Sequence, residues 1–179
     1  FKIIILLTVS FFLFFIIIRD FLKKKFSNLS QNIAHFGFSL LILSILFNNI
    51  FSKEIIINLK VGETYKSKNF KIYFEDIETK NQRNYKAIIG KFNVQNVDGN
   101  NEILKPELRI YNQPIIITSE ADIKTSLLTD KFMTMNSIQN QDYFNVRYQI
   151  KPFMIWIWIS VLLISLGGLT SLLKKKNEN

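Results

Sequence analysis

The sequence contains no cysteine and a single histidine in 179 residues. The absence of cysteine excludes a disulfide scaffold, a zinc–thiolate site, a thiol nucleophile and covalent haem attachment to cysteines of this chain. With one histidine, a multi-histidine metal site cannot come from one copy. Residues 52–150 also contain no Ser/His/Asp set, no glycine-rich phosphate loop and no acidic metal cluster. Nothing in that segment argues for catalysis by the segment alone.

Apolar residues lie in three long runs, residues 1–18, 33–51 and 153–173. A chain with 48% hydrophobic residues and 17 phenylalanines is too apolar for a purely soluble enzyme or a disordered chain. A helix needs about 20 apolar residues to cross a bilayer, so each run predicts a transmembrane helix. The first run is too long for a signal peptide, its positive charges follow it, and no small-residue cleavage site appears. Because the first residue is Phe1, we expect a C-terminal piece of a longer membrane protein, or a chain that lacks its start.

The net charge of +9 is unevenly distributed. Residues 52–150 carry 14 Lys and Arg against 12 Asp and Glu, and most other basic residues flank the apolar runs, chiefly at 19–25 and 174–176. A nucleic-acid binder would spread basic and aromatic residues over a folded face, so we expect no nucleic-acid partner. The positive-inside rule then places both basic clusters on the inner side of the membrane. Residues 52–150 are predicted to lie outside, in a periplasm or an intermembrane space.

The outer segment shows the period-two pattern of half-buried strands. Five to seven short strands with one short helix predict a small barrel or sandwich. Apolar and polar residues alternate in four stretches: Phe70–Glu75, Ile88–Gln95, Glu107–Tyr111 and Val146–Ile150.

Turns and a helix are predicted between these strands. Asp98-Gly99 is typical of a hairpin, and Lys60–Glu63 of another turn. Ser119 followed by Asp122 predicts the cap of a short helix over residues 121–128.

The predicted architecture is a mixed membrane protein with three transmembrane helices and a compact, mainly β extracytoplasmic domain between the second and third. The last strand runs almost directly into the third helix through Lys151-Pro152, so we expect the domain to be held close to the membrane. The segments in order are a transmembrane helix (1–18), an inner basic loop (19–32), a transmembrane helix carrying His35 (33–51), the β-rich domain (52–150), a transmembrane helix (151–173) and an inner basic tail (174–179).

His35 is the most informative residue, about three positions inside the second apolar run. Ionisable groups in a span are costly and usually face the protein interior or a cofactor. Three interpretations compete: hydrogen bonding to a neighbouring helix or to the inner interface, a proton relay near a quinone, and axial ligation of a membrane-embedded haem. Small residues Ala34, Gly37 and Ser44 on the same helix would let a helix or a flat macrocycle approach closely.

Other polar and aromatic residues have ordinary interpretations beside functional ones. If extended, Glu107 and Arg109 share a face; this could serve acid–base chemistry but is more often a cross-strand ion pair. Trp156 and Trp158 are typical of an interfacial aromatic belt, or could line a haem edge. Gly167-Gly168 indicates close helix packing.

Several stretches are, in order and spacing, similar to one family and together cover residues 33–173. The strongest are Ala34–Gly37, Leu104–Tyr111, Val146–Trp158 and Leu166–Gly168, and weaker ones are at 59–63, 84–87 and 119–123. They resemble the C-terminal third of the CcmF family, the large membrane subunit of the cytochrome c haem lyase.

The resemblance implies a role in cytochrome c biogenesis. Proteins of this family take haem from a membrane-anchored haem chaperone and help attach it covalently to a Cys-x-x-Cys-His apocytochrome c on the outer face. The missing cysteines agree with this role, since the thiols belong to the substrate and to thiol-handling partner subunits. The family also holds a b-type haem through two transmembrane histidines, and His35 matches the second. That haem is thought to pass electrons, with quinol as the candidate donor, to keep the delivered haem reduced.

The resemblance also implies what this segment needs from elsewhere. The second haem ligand, the tryptophan-rich haem-handling loop and its flanking histidines lie upstream or on another polypeptide, so we do not expect the segment to be active alone. Leu108 stands where the family usually has a basic residue. The expected location is the bacterial inner membrane or the mitochondrial inner membrane. Residues that could contact haem propionates or partner subunits are Arg109, Arg147, Lys151, Trp156 and Trp158, with strand ion pairs and span anchoring as the alternative for the three cations.

A different class of function is the alternative. A membrane-tethered sensor or assembly module would use the outer β domain to bind a ligand or a protein without catalysis. A sensor would be expected to continue past the third span into a signalling domain, and six residues follow Leu173.

Overall fold

The computed structural model describes residues 2–22, 29–96, 99–138 and 142–177. It divides into two compact units. The helical unit comprises Phe1–Ser52, Ser126–Asp130 and Lys151–Asn179, and the sandwich unit comprises Lys53–Thr125 and Lys131–Ile150.

Three helices account for the apolar runs: α1 (Lys2–Leu22), α2 (Leu29–Phe51) and α3 (Met154–Asn177). Among the described residues, α2 and the Met154–Leu173 part of α3 are long and apolar enough to cross a membrane. The helices run past the apolar stretches, so residues 19–22 and 29–32 of the predicted loop are helical. A helix ends where its backbone hydrogen bonds end, so it can continue into residues whose side chains are polar.

Helices α2 and α3 pack antiparallel through glycine. A Cβ placed on Gly37 would lie 2.9 Å from the backbone nitrogen of Ile164 and 2.9 Å from the carbonyl oxygen of Ser160. A Cβ on Gly167 would lie 2.7 Å from the backbone nitrogen of Ala34. The predicted close packing is confirmed at Gly167, and at Gly37 the expected close neighbour is a helix; at Gly168 the prediction is wrong, because an added Cβ would meet no described atom within 4 Å.

Ten strands form two sheets in the described part of the chain, one of order β1-β10-β9-β8 and one of order β2-β3-β4-β6-β7, with β5 paired to β4. The first and last strands pair antiparallel along their length, with Lys53 opposite Ile150 and Leu59 opposite Phe144. The strands are β1 (Lys53–Leu59), β2 (Thr64–Lys66), β3 (Phe70–Asn81), β4 (Tyr85–Asn96), β5 (Asn101–Leu104), β6 (Glu107–Tyr111), β7 (Ile117–Glu120), β8 (Asp122–Thr125), β9 (Thr129–Ser137) and β10 (Phe144–Pro152).

The two sheets bury one shared core, which makes the domain a sandwich rather than a barrel. Side chains of both sheets meet there, and the rings of Phe74 and Phe92 stack with centroids 4.2 Å apart. The predicted alternation is confirmed where it matters most: Phe70, Ile72 and Phe74 are buried while their neighbours Lys71 and Tyr73 are exposed.

The predicted turn at Lys60–Glu63 is also confirmed. The amide of Glu63 donates to the carbonyl of Lys60 at 3.1 Å. Gly62 has φ +88°, a conformation that glycine adopts without steric cost. The predicted Asp98-Gly99 hairpin depends on Asp98, which lies outside the described residues.

Two predictions about the domain are wrong. Residues 121–128 form no helix, because β8 occupies Asp122–Thr125 beside β9. The Asp122 carboxylate accepts a hydrogen bond from the amide of Lys105 at 2.6 Å instead of capping a helix. The described residues of the domain form ten strands rather than five to seven, since strands of three or four residues such as β2 and β8 are too short to show a period.

Candidate functional site

His35 lies in the second turn of α2 with its side chain exposed. The amide nitrogen of Gln31, one turn earlier, lies 3.3 Å from Nε2 of the imidazole. When Nε2 is unprotonated, Gln31 donates this hydrogen bond and the ring proton sits on Nδ1. Gln31 therefore influences both the tautomer and the orientation of the ring.

The exposed face of α2 is distinct from the face that packs. Gln31, His35, Phe38 and Ile45 follow one another at helical spacing and are all exposed. On the packed face, Ser44 is buried and Gly37 contacts α3. A helix or a flat macrocycle was expected against the small residues Ala34, Gly37 and Ser44, and helix α3 is the neighbour found at Ala34 and Gly37. The imidazole lies on the exposed face of α2, beside Gln31.

The two tryptophans lie at the start of α3. The indole Nε1 of Trp156 donates to the carbonyl of Leu127 at 2.9 Å, and Trp158 is exposed. Because Gly37 packs at Ser160 and Ala34 at Gly167, His35 is level with the later part of α3. The tryptophans precede that level by roughly 10–13 Å along the axis at 1.5 Å per residue. The structure therefore does not bring them to the imidazole.

The junction between β10 and α3 is held by hydrogen bonds within the helical unit. The side-chain amide of Asn48 donates to the carbonyl of Pro152 at 2.6 Å. Phe153 has φ +61°, which is unusual for a residue with a side chain, and its amide donates to the carbonyl of Leu128 at 2.8 Å. Its ring lies 5.3 Å from that of Phe47. Sequence reasoning noticed none of these contacts; the polar Asn48 inside an apolar run was the available signal.

Arg109 on β6 is engaged by acidic and aromatic neighbours. Its Nε lies 2.9 Å from a carboxylate oxygen of Glu107, and its guanidinium carbon lies 5.2 Å from the ring centre of Tyr85. Glu120 on β7 is 4.0 Å away. The hydrogen bond to Glu107 raises the pKa of Arg109 above its ordinary value. This is the ion-pair arrangement rather than an acid–base site.

Arg147 and Lys151 lie on β10. The Nε of Arg147 lies 2.6 Å from a carboxylate oxygen of Glu54 on β1, and the Gln149 amide donates to the other oxygen of Glu54 at 2.9 Å. Lys151 is half-buried. Among the described residues, no group of three or more His, Asp or Glu side chains could hold a metal ion.

Comparisons with known proteins converge on one family. Residues 50–152 match the family described as CcmF C-terminal β-sandwich. The chain is 30% identical over 165 residues to the cytochrome c-type biogenesis protein CcmF of Haemophilus influenzae, covering 91% of this chain and 25% of that protein. It is 28% identical over 151 residues to CcmF of Escherichia coli, covering 84% and 23%.

A solved structure shows the same fold. The chain is similar to a protein titled cytochrome c heme lyase CcmF with a TM-score of 0.63 at 19% identity, covering 79% of this chain and 24% of that one. The chain thus spans about a quarter of the length of the relatives it matches.

Proposed function

Since the chain belongs to the CcmF C-terminal β-sandwich family, we propose that it is the C-terminal portion of a cytochrome c haem lyase subunit. The whole protein would take haem from a haem chaperone and help attach it to apocytochrome c. The names of the relatives support this proposal, as both are cytochrome c-type biogenesis proteins. This segment alone would not be active, because it covers about a quarter of their length.

The proposed setting is an inner membrane, bacterial or mitochondrial. All three helices would cross it, with Lys23–Lys25 and Lys174–Lys176 inside and residues 52–150 on the periplasmic or intermembrane side. The length and apolar composition of α2 and α3 support two of the crossings. For α1, the support is its 21-residue apolar helix with Arg19 in the last turn.

His35 is the proposed axial ligand of a b-type haem, and its exposed imidazole on an apolar helix is the observation that carries the proposal. A polar ring facing lipid is costly, and an iron atom would be a suitable partner for a neutral imidazole in place of the Gln31 side-chain amide, which lies 3.3 Å from Nε2. A bound haem would supply reversible one-electron chemistry at its iron. One histidine supplies one ligand, so the second comes from outside this segment.

Five further residues are proposed as contacts to haem propionates or partner subunits: Arg109, Arg147, Lys151, Trp156 and Trp158. For the two arginines, the ion pairs with Glu107 and Glu54 favour the alternative, a role in holding strands together. A propionate would have to displace those carboxylates. Trp158 is the most accessible of the five, with 65% of its side chain exposed.

The proposed partners follow from the same reasoning. They are the haem chaperone, apocytochrome c, the thiol-handling subunits that would keep the substrate cysteines reduced, and the remaining part of the same protein. The absence of cysteine in this chain is consistent with thiol chemistry on other subunits.

The test compares His35→Ala with Phe38→Ala in the complete protein purified in detergent. Phe38 lies one turn away on the same exposed face, so its substitution controls for loss of a ring from α2. We expect the b-type signal in a reduced-minus-oxidised spectrum and a pyridine haemochrome assay to be lost or strongly shifted in His35→Ala and retained in Phe38→Ala.

Two results would contradict the proposal. An unchanged spectrum in His35→Ala would return the histidine to a packing or interfacial role. No haem in the unsubstituted protein, with adequate haem supply, would favour the membrane-tethered binding or assembly module.

A further inference from the structure

The turn between β8 and β9 has an unusual tip. Its two central residues are leucines, and 62% of Leu127 and 58% of Leu128 are exposed. Exposed turn tips usually carry polar residues or glycine, because they meet water. Two exposed leucines at the tip of a turn indicate surroundings that are less polar than water.

Several polar groups of this turn make hydrogen bonds within the protein. The amide and the hydroxyl of Ser126 both donate to the carbonyl of Thr129, at 3.1 and 2.6 Å, and the amide of Thr129 donates to the Ser126 hydroxyl oxygen at 3.1 Å. A backbone with its hydrogen bonds made internally can leave water at low cost. The turn can therefore lie at the hydrated boundary of a membrane, where its remaining backbone groups still meet water.

The turn is tied to the first residues of α3. The carbonyl of Leu127 accepts from the Trp156 indole, and the carbonyl of Leu128 accepts from the amide of Phe153. Trp156 is in the first turn of a helix long and apolar enough to cross a membrane, and tryptophan indoles are enriched at the membrane–water boundary. The two leucines therefore sit at the level where that helix would enter the bilayer.

We propose that residues 126–129 form an interfacial membrane anchor, which places Leu127 and Leu128 among the headgroups and upper acyl chains of the lipid. The partner is the bilayer surface itself. Apolar side chains next to a satisfied backbone and an indole are what such a boundary accepts. The anchor would add a second contact with the bilayer beside the start of α3.

This inference rests on the proposed membrane crossing of α3, and the experiment separates the two. The 179 residues contain no cysteine, so Leu127→Cys, Leu128→Cys and Leu162→Cys each add one site for an environment-sensitive fluorophore, with the unsubstituted complete protein as the labelling blank. Leu162 is an exposed residue near the middle of the proposed span. The complete protein is placed in phosphatidylcholine nanodiscs whose lipids carry a doxyl quencher either near the headgroup or near the chain end.

We expect the shallow quencher to remove most of the emission at positions 127 and 128, and the deep quencher to act more strongly at position 162. Loss of quenching at 127 and 128 with quenching retained at 162 would overturn the anchor while leaving the membrane crossing intact. That result would also arise if another part of the protein covers the leucines. Loss of quenching at all three positions would overturn the proposed crossing of α3 and the anchor with it. Both leucine side chains are mainly exposed, so their substitution removes few contacts from the fold.

Discussion

The helical unit and the sandwich unit are packed through opposite kinds of residue. Helices α2 and α3 meet where side chains are missing, at Gly37 and Gly167, while many large apolar side chains remain exposed. The sandwich encloses its largest side chains completely, with Phe74 and Phe92 at 0% exposure. Transfer from water drives burial in the sandwich, whereas helices in lipid gain little from hiding apolar surface and associate through close contact. The same residue type therefore has different energetic weight in the two units.

The largest test of this contrast makes one chemical change in each unit. Phe74→Ala removes a fully buried ring that stacks on Phe92 and meets Phe144 edge-on, and should cost about 3–5 kcal/mol. Phe38→Ala removes a ring that is 50% exposed on α2, and should cost less than about 0.5 kcal/mol. Urea titration followed by hydrogen exchange, read in β3 and β4 for the first variant and in α2 for the second, would measure both. Equal losses would mean that exposed α2 rings pack as strongly as buried sandwich rings.

The next test adds a side chain where two helices of the helical unit are in close contact. Gly37→Val would drive its side chain into the backbone of α3 and should cost about 1–3 kcal/mol. Gly168→Val is the matched control, because a Cβ there meets nothing within 4 Å. Thermal unfolding in detergent and amide exchange in α2 should change for the first variant alone. If both variants behave alike, close approach at Gly37 does not hold the pair together.

A smaller effect concerns a polar group inside the sandwich. Tyr148 is 1% exposed, and its hydroxyl has no hydrogen-bond partner in the described part of the chain. Tyr148→Phe should therefore be neutral or stabilising by up to about 1 kcal/mol at pH 7.

The same residue gives a pH dependence. Burial, with a further contribution from Glu102, raises the pKa of Tyr148 above the value near 10 of an unfolded tyrosine. Above pH 10 the unfolded chain releases this proton while the folded chain retains it, so stability falls as pH rises. Urea midpoints measured from pH 8 to 11 should fall less steeply in Tyr148→Phe than in the unsubstituted protein. A parallel fall in both would assign the loss to other groups.

The smallest effect is expected at the partly exposed ion pair of β6. Glu107→Gln removes the carboxylate that Arg109 contacts at 2.9 Å and should cost less than about 1 kcal/mol. Arg109 stays charged at neutral pH in this variant too, because the ordinary pKa of arginine lies far above 7. Urea midpoints at low and high salt would measure the loss, which should shrink as salt screens the pair. A loss of several kcal/mol would show that this pair matters as much as a core ring.

Sequence patterns were sufficient where one force dominated. The long apolar runs predicted helices, and the alternation at Phe70, Ile72 and Phe74 predicted a buried strand face, since burial acts on consecutive residues with a fixed period. The predicted helix over 121–128 failed because a capping pattern is local, while pairing with β9 and the bond from Lys105 to Asp122 are not. No local pattern signals β8 in four residues.

In the candidate site, too, local sequence patterns predict some features and miss those that depend on distant residues. His35 is conspicuous because an ionisable residue within an apolar run is rare, and any reading of the sequence finds it. Its neighbour Gln31 lies four residues away, which is a detectable helical spacing. The bond from Trp156 to Leu127 joins residues 29 positions apart and depends on the path of the whole hairpin, so the belt residue could be predicted but its partner could not.

The pairing of β1 with β10 has a consequence for how this protein could have arisen and could be rebuilt. Because Lys53 lies opposite Ile150, the chain enters and leaves the sandwich at neighbouring positions. A domain whose two ends lie together can be inserted into, or removed from, a host with little disturbance to either. The host here is a helical hairpin that carries its own contact from Asn48 to Pro152. The sandwich therefore has the properties of an inserted domain. The two helices and the inserted domain can be exchanged, shortened or evolved separately, provided that the paired strands β1 and β10 are kept.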